Sequence, residues 1–150
     1  DDLSGLYNRK YMNHYLNKLQ NAKNKHVYGF LMDINEFKAI NDTYGHLTGD
    51  HALIQFSKIL QHSIDKDSVA IRMGGDEFVI FAKIQSDTEA VKLKKRIENN
   101  VRQFNIHSKE PFHLSFSIGI AKYNGKNIDT FLSAMDDSMY EAKNMHRLMQ

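Results

Sequence analysis

The chain lacks cysteine, has one proline among its 150 residues and contains no long apolar run. Without cysteine it can form no disulfide and perform no thiolate chemistry, which is compatible with a reducing compartment. Its longest apolar stretches, 27–32 and 78–82, fall far short of the roughly 18 residues that a membrane span needs. We therefore expect one cytoplasmic domain over residues 1–150, cut from a longer protein that is either free or membrane-anchored.

A strong charge of one sign is also missing. The 20 Lys and Arg residues against 18 Asp and Glu residues leave a formal net charge of +2. This charge is too small to attract nucleic acid or a membrane surface in bulk, so any phosphate binding must be local. The eight histidines show no spacing typical of a zinc site. We predict no zinc, no nucleic-acid partner and no direct membrane insertion of this domain.

Hydrophobic periodicity predicts the order helix, strand, helix, helix, hairpin, helix, strand, helix. This mixed order favours an α+β fold in which helices flank a largely antiparallel central sheet. The predicted helices run from Asn8 to about Gln20, from Glu36 to Tyr44, from Asp50 to Ile64 behind an opening Gly49, from the capping-box residue Ser86 to Phe104, and from Ile128 to Arg147. The predicted strands are Val27 to Ile34, Val69 to Ile71, Phe78 to Phe81 and Phe112 to Ile120, with a polar connection at Lys23-Asn24-Lys25.

The most informative stretch is residues 72–80, which read RMGGDEFVI. Its glycines permit the positive φ of a hairpin turn, and the turn presents the carboxylates of Asp76 and Glu77. Acids at a hairpin tip are often merely solvated. A third carboxylate, Asp33, ends a buried strand, and we expect all three to converge at one end of the sheet. Oxygen ligands without His or Cys favour Mg²⁺, with Mn²⁺ as the alternative.

Other residues suit a nucleoside triphosphate. The helix that starts after Asp33 supplies backbone amides for phosphate, and Lys38 can balance charge there. Asn41 and Asp50 offer the amide and carboxylate that suit a guanine edge. Lys143 and Arg147 lie four residues apart on one helix face and can reach a single phosphate tail. Taken singly, these residues are more often helix caps or solvated pairs.

Together these segments closely resemble the GGDEF domain of bacterial diguanylate cyclases, which join two GTP molecules into cyclic di-GMP. The resemblance rests on four motifs in order: DDLSGLYNR at 1–9, DINEFKAINDTYGHLTGD at 33–50, RMGGDEF at 72–78 and SIGIA at 117–121. It implies the ferredoxin-like architecture of nucleotidyl cyclases and polymerase palms. It also implies a homodimer as the catalytic unit and an N-terminal sensory domain in the parent protein.

Carried over residue by residue, the resemblance implies a role for each site residue. Asp33, the carbonyl of Ile34, Asp76 and Glu77 would bind the metal. Asp76 is the first choice for acid–base catalysis and Glu77 the second, and the sequence does not decide between them. Lys38 would steady charge in the transition state. The residues implied to bind GTP are Phe37, Lys38, Asn41, His46, Asp50, Lys143 and Arg147.

The chain departs from the family pattern at several positions. Asp65 and Ser68 replace the R-x-x-D pair of the product-inhibition site, so no inhibitory site is expected there. Asn35 replaces the second Asp of the family's D-x-D, Ser4 a Thr, and His146 a Gly. We predict a diguanylate cyclase. The alternatives are a GTP-binding regulatory GGDEF module with little or no turnover and an interaction domain that binds no nucleotide.

Overall fold

The described part of the chain contains five helices and four strands. The structure is a computed structural model that describes residues 1–22 and 26–149, so the connection predicted at 23–25 lies outside the described residues. The elements, in chain order, are α1 (Arg9–Asn21), β1 (Tyr28–Ile34), α2 (Phe37–Tyr44), α3 (His46–Ser63), β2 (Val69–Gly74), β3 (Glu77–Ala82), α4 (Asp87–His107), β4 (Phe116–Lys122) and α5 (Ile128–Leu148). The predicted order of elements is confirmed.

The four strands form one antiparallel sheet in the order β2-β3-β1-β4. One face packs against α3 and α4 through residues such as Phe56, Leu60 and Ile97, and the other against α1 and α5 through Leu16 and Phe131. Each strand therefore buries both of its faces, which explains why β1 reads as a nearly continuous apolar run. The predicted α+β class with flanking helices is confirmed.

α3 begins at His46, four residues before the predicted start at Asp50. Gly45, with φ of +91°, separates α2 from α3, and its N–H donates to the carbonyl of Asn41 at 2.8 Å. The expected end of α2 at Gly45 is confirmed, but the start of α3 was wrong because the Gly49-Asp50 pair was taken to open that helix. Gly49 instead lies buried inside α3, where the side chain of Asn41 packs against it.

β4 begins at Phe116 rather than at the predicted Phe112. Phe112 and Leu114 are buried and continue the alternation, but Leu114 forms its backbone hydrogen bonds with a side chain. Its N–H donates to Oδ1 of Asn105 at 2.8 Å, and its carbonyl accepts from Nδ2 of Asn105 at 2.7 Å. The alternation of apolar and polar residues therefore predicts which positions are buried in this segment, but it does not predict which residues pair with a neighbouring strand.

The predicted capping box at Ser86 is half formed. Oγ of Ser86 accepts from the N–H of Glu89 at 3.2 Å, as an N-cap should. The carboxylate of Glu89 accepts from the N–H of Gln85 at 2.7 Å and not from that of Ser86. None of the helices within residues 1–22 and 26–149 combines the length and the hydropathy that a bilayer span requires.

Candidate active site

Asp33 lies near the end of β1, a central strand that is paired on both sides. Its Cα faces Glu77 of β3 on one side and Ser117 of β4 on the other. One residue later, the N–H of Ile34 donates to the carbonyl of Asp76 at 3.2 Å. Because side chains alternate along a strand, Asp33 points to the same face as Leu31, which α1 and α5 cover. The structure thus places Asp33, Asp76 and Glu77 at one end of the sheet.

The carboxylate of Asp33 is desolvated. The residue is 5% exposed, its Oδ2 forms an ion pair with Nζ of Lys143, and its Oδ1 is buried without a hydrogen-bond partner. Burial raises the pKa of Asp33, Lys143 opposes that shift, and the charges of Asp76 and Glu77 add to it. A buried anionic oxygen without a partner is costly, and a cation bound there would remove that cost.

The turn between β2 and β3 presents Asp76. Gly74 and Gly75 have φ of +140° and +54°, as the turn prediction requires. Nε and Nη2 of Arg72 donate to the carbonyl of Gly75 at 3.1 and 2.9 Å, and Nη1 lies 3.2 Å from the carboxylate of Asp1. Arg72 therefore fixes the turn. This arginine belongs to the signature at 72–78, but the sequence alone indicates no role for it.

A cavity of about 250 Å³ opens at this end of the sheet. The helix α2 starts on one side of it, the hairpin turn lies on another, and the last turns of α5 close a third. The predicted site residues that line it are Asp33, Ile34, Phe37, Lys38, Asp76, Lys143 and Arg147. The other lining residues are Asn35, Glu36 and His146, which the sequence analysis did not assign to the site.

Glu77 is exposed and lies at a neighbouring cleft rather than at this cavity. It lines an apolar cleft of about 340 Å³ between α1 and α5, and Lys143 lies at the border of both spaces. Within the described residues, no three His, Cys, Asp or Glu side chains are grouped closely enough to enclose a metal ion. The backbones of Asp33, Asp76 and Glu77 are therefore adjacent, but their side chains do not form a closed metal site.

The residues predicted to bind guanine lie on α2 and α3. Asn41 and Asp50 are both half-buried. The side chain of Asn41 packs against Gly49, the residue that precedes Asp50. A Cβ on Gly49 would lie 1.8 Å from Oδ1 of Asn41, so only glycine leaves room for this amide. His46 is exposed at the first turn of α3 and is not among the described residues that line the cavity.

Residues 65–68, the position of the family's inhibitory motif, form a closed turn. Oδ1 of Asp65 accepts from the N–H of Asp67 at 3.0 Å and from the hydroxyl of Ser68 at 3.1 Å. The turn supplies an acceptor where the family motif has an arginine.

Comparison with known proteins agrees with this geometry. The family model described as "Diguanylate cyclase, GGDEF domain" matches residues 1–148. The chain is 34% identical over 155 residues to an uncharacterized membrane protein of Staphylococcus haemolyticus, covering 98% of this chain and 44% of that protein. It is 33% identical over 150 residues to the diguanylate cyclase DgcZ of Escherichia coli, covering 98% of this chain and 51% of DgcZ. The chain thus spans about half the length of these relatives.

A solved structure comprising only the GGDEF domain of PA1120 (TpbB or YfiN) from Pseudomonas aeruginosa superposes with a TM-score of 0.86. The two sequences are 27% identical, and the match covers 97% of this chain and 88% of that one. The likeness therefore extends over nearly the whole chain. With a family match that leaves out only the last two residues, this chain belongs to the GGDEF domain family of diguanylate cyclases.

Proposed function

We propose that this chain is the catalytic domain of a diguanylate cyclase, which condenses two GTP into cyclic di-GMP and two pyrophosphates. One observation carries the proposal: acids and bases line the same cavity. Asp33 and Asp76 line its sheet end, and Lys38, Lys143 and Arg147 are among its other lining residues. A triphosphate chelated to a divalent cation needs this division, because its phosphates seek cations and its metal seeks carboxylates.

The residues present fit Mg²⁺ or Mn²⁺. The unpartnered buried oxygen of Asp33 is a hard anionic donor, and Asp76 and the carbonyl of Ile34 lie next to it in the sheet. These groups would hold the ion, with Glu77 as a further ligand. When bound, the ion polarises the α-phosphate and lowers the pKa of the attacking hydroxyl.

The remaining steps belong to side chains of this chain. Lys38 and Arg147 bind and orient the phosphates from two sides of the cavity. Lys143 exchanges its carboxylate partner, Asp33, for phosphate when the nucleotide enters. Asn41 and Asp50 hold the guanine through its donor edge. Asp76 or Glu77 takes the proton of the attacking 3′-hydroxyl, and the pyrophosphate leaves in line with that attack.

A second copy of the chain completes the reaction. A GGDEF domain of this family holds one GTP, so the attacking hydroxyl comes from a nucleotide held by a partner. Activity therefore depends on a homodimer. In the whole protein we expect a preceding sensory domain to control how the two copies meet.

Turnover can be tested directly. The chain, and the chain fused to a dimerising coiled coil, are incubated with GTP and Mg²⁺, and cyclic di-GMP is quantified by chromatography. We expect product from the fusion, and at least a hundredfold less from Asp76→Asn or Lys38→Ala, since removing one charge-stabilising group costs about that much. Asp129→Asn, an exposed acid at the start of α5, is the matched control and should leave the rate unchanged. No product from the dimerised chain would refute the proposal.

The ion pair of Lys143 with Asp33 favours a second candidate, a module that binds GTP without turnover. In that case the lysine keeps the carboxylate occupied while nucleotide binds. Stabilisation of the chain by GTP in thermal unfolding, with no cyclic dinucleotide at any protein concentration, would establish this alternative.

A further inference from the structure

We propose that Asn35 is a positioning residue for the sheet end of the cavity, where Asp33 and Asp76 are proposed to bind the metal. It holds the carbonyl of Ile34 and the start of α2 in place through Ser115 and Ser117. The inference rests on the proposed function, because it concerns how the same site is held in shape.

Asn35 fastens the end of β1 to the chain leading into β4 with three hydrogen bonds. Its backbone N–H donates to the carbonyl of Ser115 at 2.8 Å, and its Nδ2 donates to Oγ of Ser115 at 2.9 Å. The hydroxyl of Ser117, a residue only 4% exposed, donates to Oδ1 of Asn35 at 2.7 Å. Ser117 is also the β4 residue that pairs with Asp33. The amide of Asn35 thus connects directly to the residue beside the buried acid.

The next residue shows why such a fastening is needed. Glu36 has φ of +58° and is, among the described residues, the only one other than glycine with a positive φ. A left-handed conformation is unfavourable for a residue with a Cβ, and it persists where neighbouring contacts fix it. Here it turns the chain from β1 into α2 within two residues, so that Ile34 and Lys38 line the same cavity. The hydrogen bonds of Asn35 fix the backbone just before the strained residue.

The amide group has a specific role in this arrangement. An amide both donates to Ser115 and accepts from Ser117, whereas a carboxylate only accepts. In Asn35→Asp the Ser117 hydroxyl keeps its acceptor, and the Ser115 hydroxyl can turn to donate. In Asn35→Ala both side-chain bonds are lost and only the backbone bond remains. The two variants therefore separate loss of the fastening from a change of charge.

A matched control lies on the same segment. Asn105 forms two hydrogen bonds with Leu114, next to Ser115, but it does not line the cavity. Asn105→Ala removes the same number of side-chain hydrogen bonds as Asn35→Ala. It should therefore lower the thermal midpoint to a similar extent without changing the site.

The probe is Mn²⁺ with guanosine 5′-(α,β-methylene)triphosphate, a GTP analogue that cannot be cyclised, and its affinity is measured by calorimetry well below the unfolding temperature. We expect Asn35→Ala to weaken binding about tenfold, the equivalent of losing one or two hydrogen bonds. Asn35→Asp should recover at least half of that loss on a logarithmic scale, and Asn105→Ala should bind like the wild type. In turnover assays of the dimerised chain, Asn35→Ala should raise KM for GTP and lower kcat, whereas Asn105→Ala should change neither.

Equal affinity of Asn35→Ala and the wild type would overturn the inference and leave the proposed function standing. So would an equal loss in Asn105→Ala, because the effect would then be one of stability alone. A wild-type chain that neither binds the Mn²⁺ complex nor forms product would instead refute the proposed function, and the inference with it.

Discussion

The close approach of Asn41 to Gly49 allows guanine binding to be separated from stability. Gly49 lies inside α3, where Gly→Ala normally stabilises a helix by about 1 kcal/mol. The added Cβ of Gly49→Ala would lie 1.8 Å from Oδ1 and 2.9 Å from Cγ of Asn41. To reach ordinary contact at 3.4 Å, the amide oxygen has to retreat by about 1.6 Å.

A displacement of that size would remove the proposed hydrogen bond of Asn41 to the base. The donor–acceptor distance of a hydrogen bond can change by only a few tenths of an ångström before the bond is lost, so the displaced amide of Asn41 could no longer pair with the guanine edge. Leaving the base unpaired there costs about 1–2 kcal/mol, which corresponds to roughly a tenfold rise in the dissociation constant for GTP. The thermal midpoint should meanwhile stay the same or rise, because the side chain of Asn41 is flexible and the helix gains a better former.

A double-mutant cycle tests this reasoning. Nucleotide affinity is measured by calorimetry, and the midpoint by thermal unfolding, for the wild type, Gly49→Ala, Asn41→Ala and the double variant. Once Asn41 has been truncated, Gly49→Ala should have no further effect on affinity, so the two losses should not add. Additive losses, or wild-type affinity in Gly49→Ala, would refute the assignment of Asn41 to the base. A large fall in the midpoint would show that the helices had moved instead.

Three further predictions follow from other contacts. Because burial raises the pKa of Asp33, the folded chain binds the extra proton more readily, and stability falls as pH rises from about 4 through the raised pKa. Asp33→Asn should therefore be more stable than the wild type at pH 7, with a difference that shrinks towards pH 4; a pH-independent difference in thermal midpoints would contradict this. A Cβ on Gly119 would lie 2.3 Å from the backbone nitrogen of Met139, so Gly119→Ala should push α5 away from β4. The free energy of unfolding in urea should fall by about 1–3 kcal/mol. An unchanged midpoint would contradict the packing of α5 on β4. Since Asp65 and Ser68 close their own turn, cyclic di-GMP should not inhibit noncompetitively, and a product titration that shows such inhibition would refute this.

Much of the fold was predictable because it depends on local patterns. The apolar run of β1, the glycines of the turn and the helical spacing in α5 each report burial or backbone freedom at their own positions. The placement of the backbones of Asp33 and the turn acids at one end of the sheet also followed, since adjacent strands of one sheet bring such ends together. The start of α3 did not follow, because a Gly-Asp pair resembles a helix opening until the side chain of Asn41 is known to occupy the space beside Gly49.

The hydrogen bonds that complete the site were not predictable from the sequence. Asn35 and Ser115 are 80 positions apart, and Lys143 and Asp33 are further apart still, so only the folded chain shows that they meet. Arg72 was visible in the signature, but its role depends on the carbonyl direction of Gly75, which no residue pattern encodes.

Asp33 and Glu77 lie on β1 and β3, the two inner strands of the sheet, and each of these strands is bonded to a neighbour on both sides. Neither strand can slide or tilt without breaking two rows of backbone hydrogen bonds at once. Two of the three acids proposed to bind the metal are thus held on strands that resist deformation. Under the proposed function, a controlling signal would therefore act on the distance and orientation between two protomers rather than on the position of these acids within one protomer.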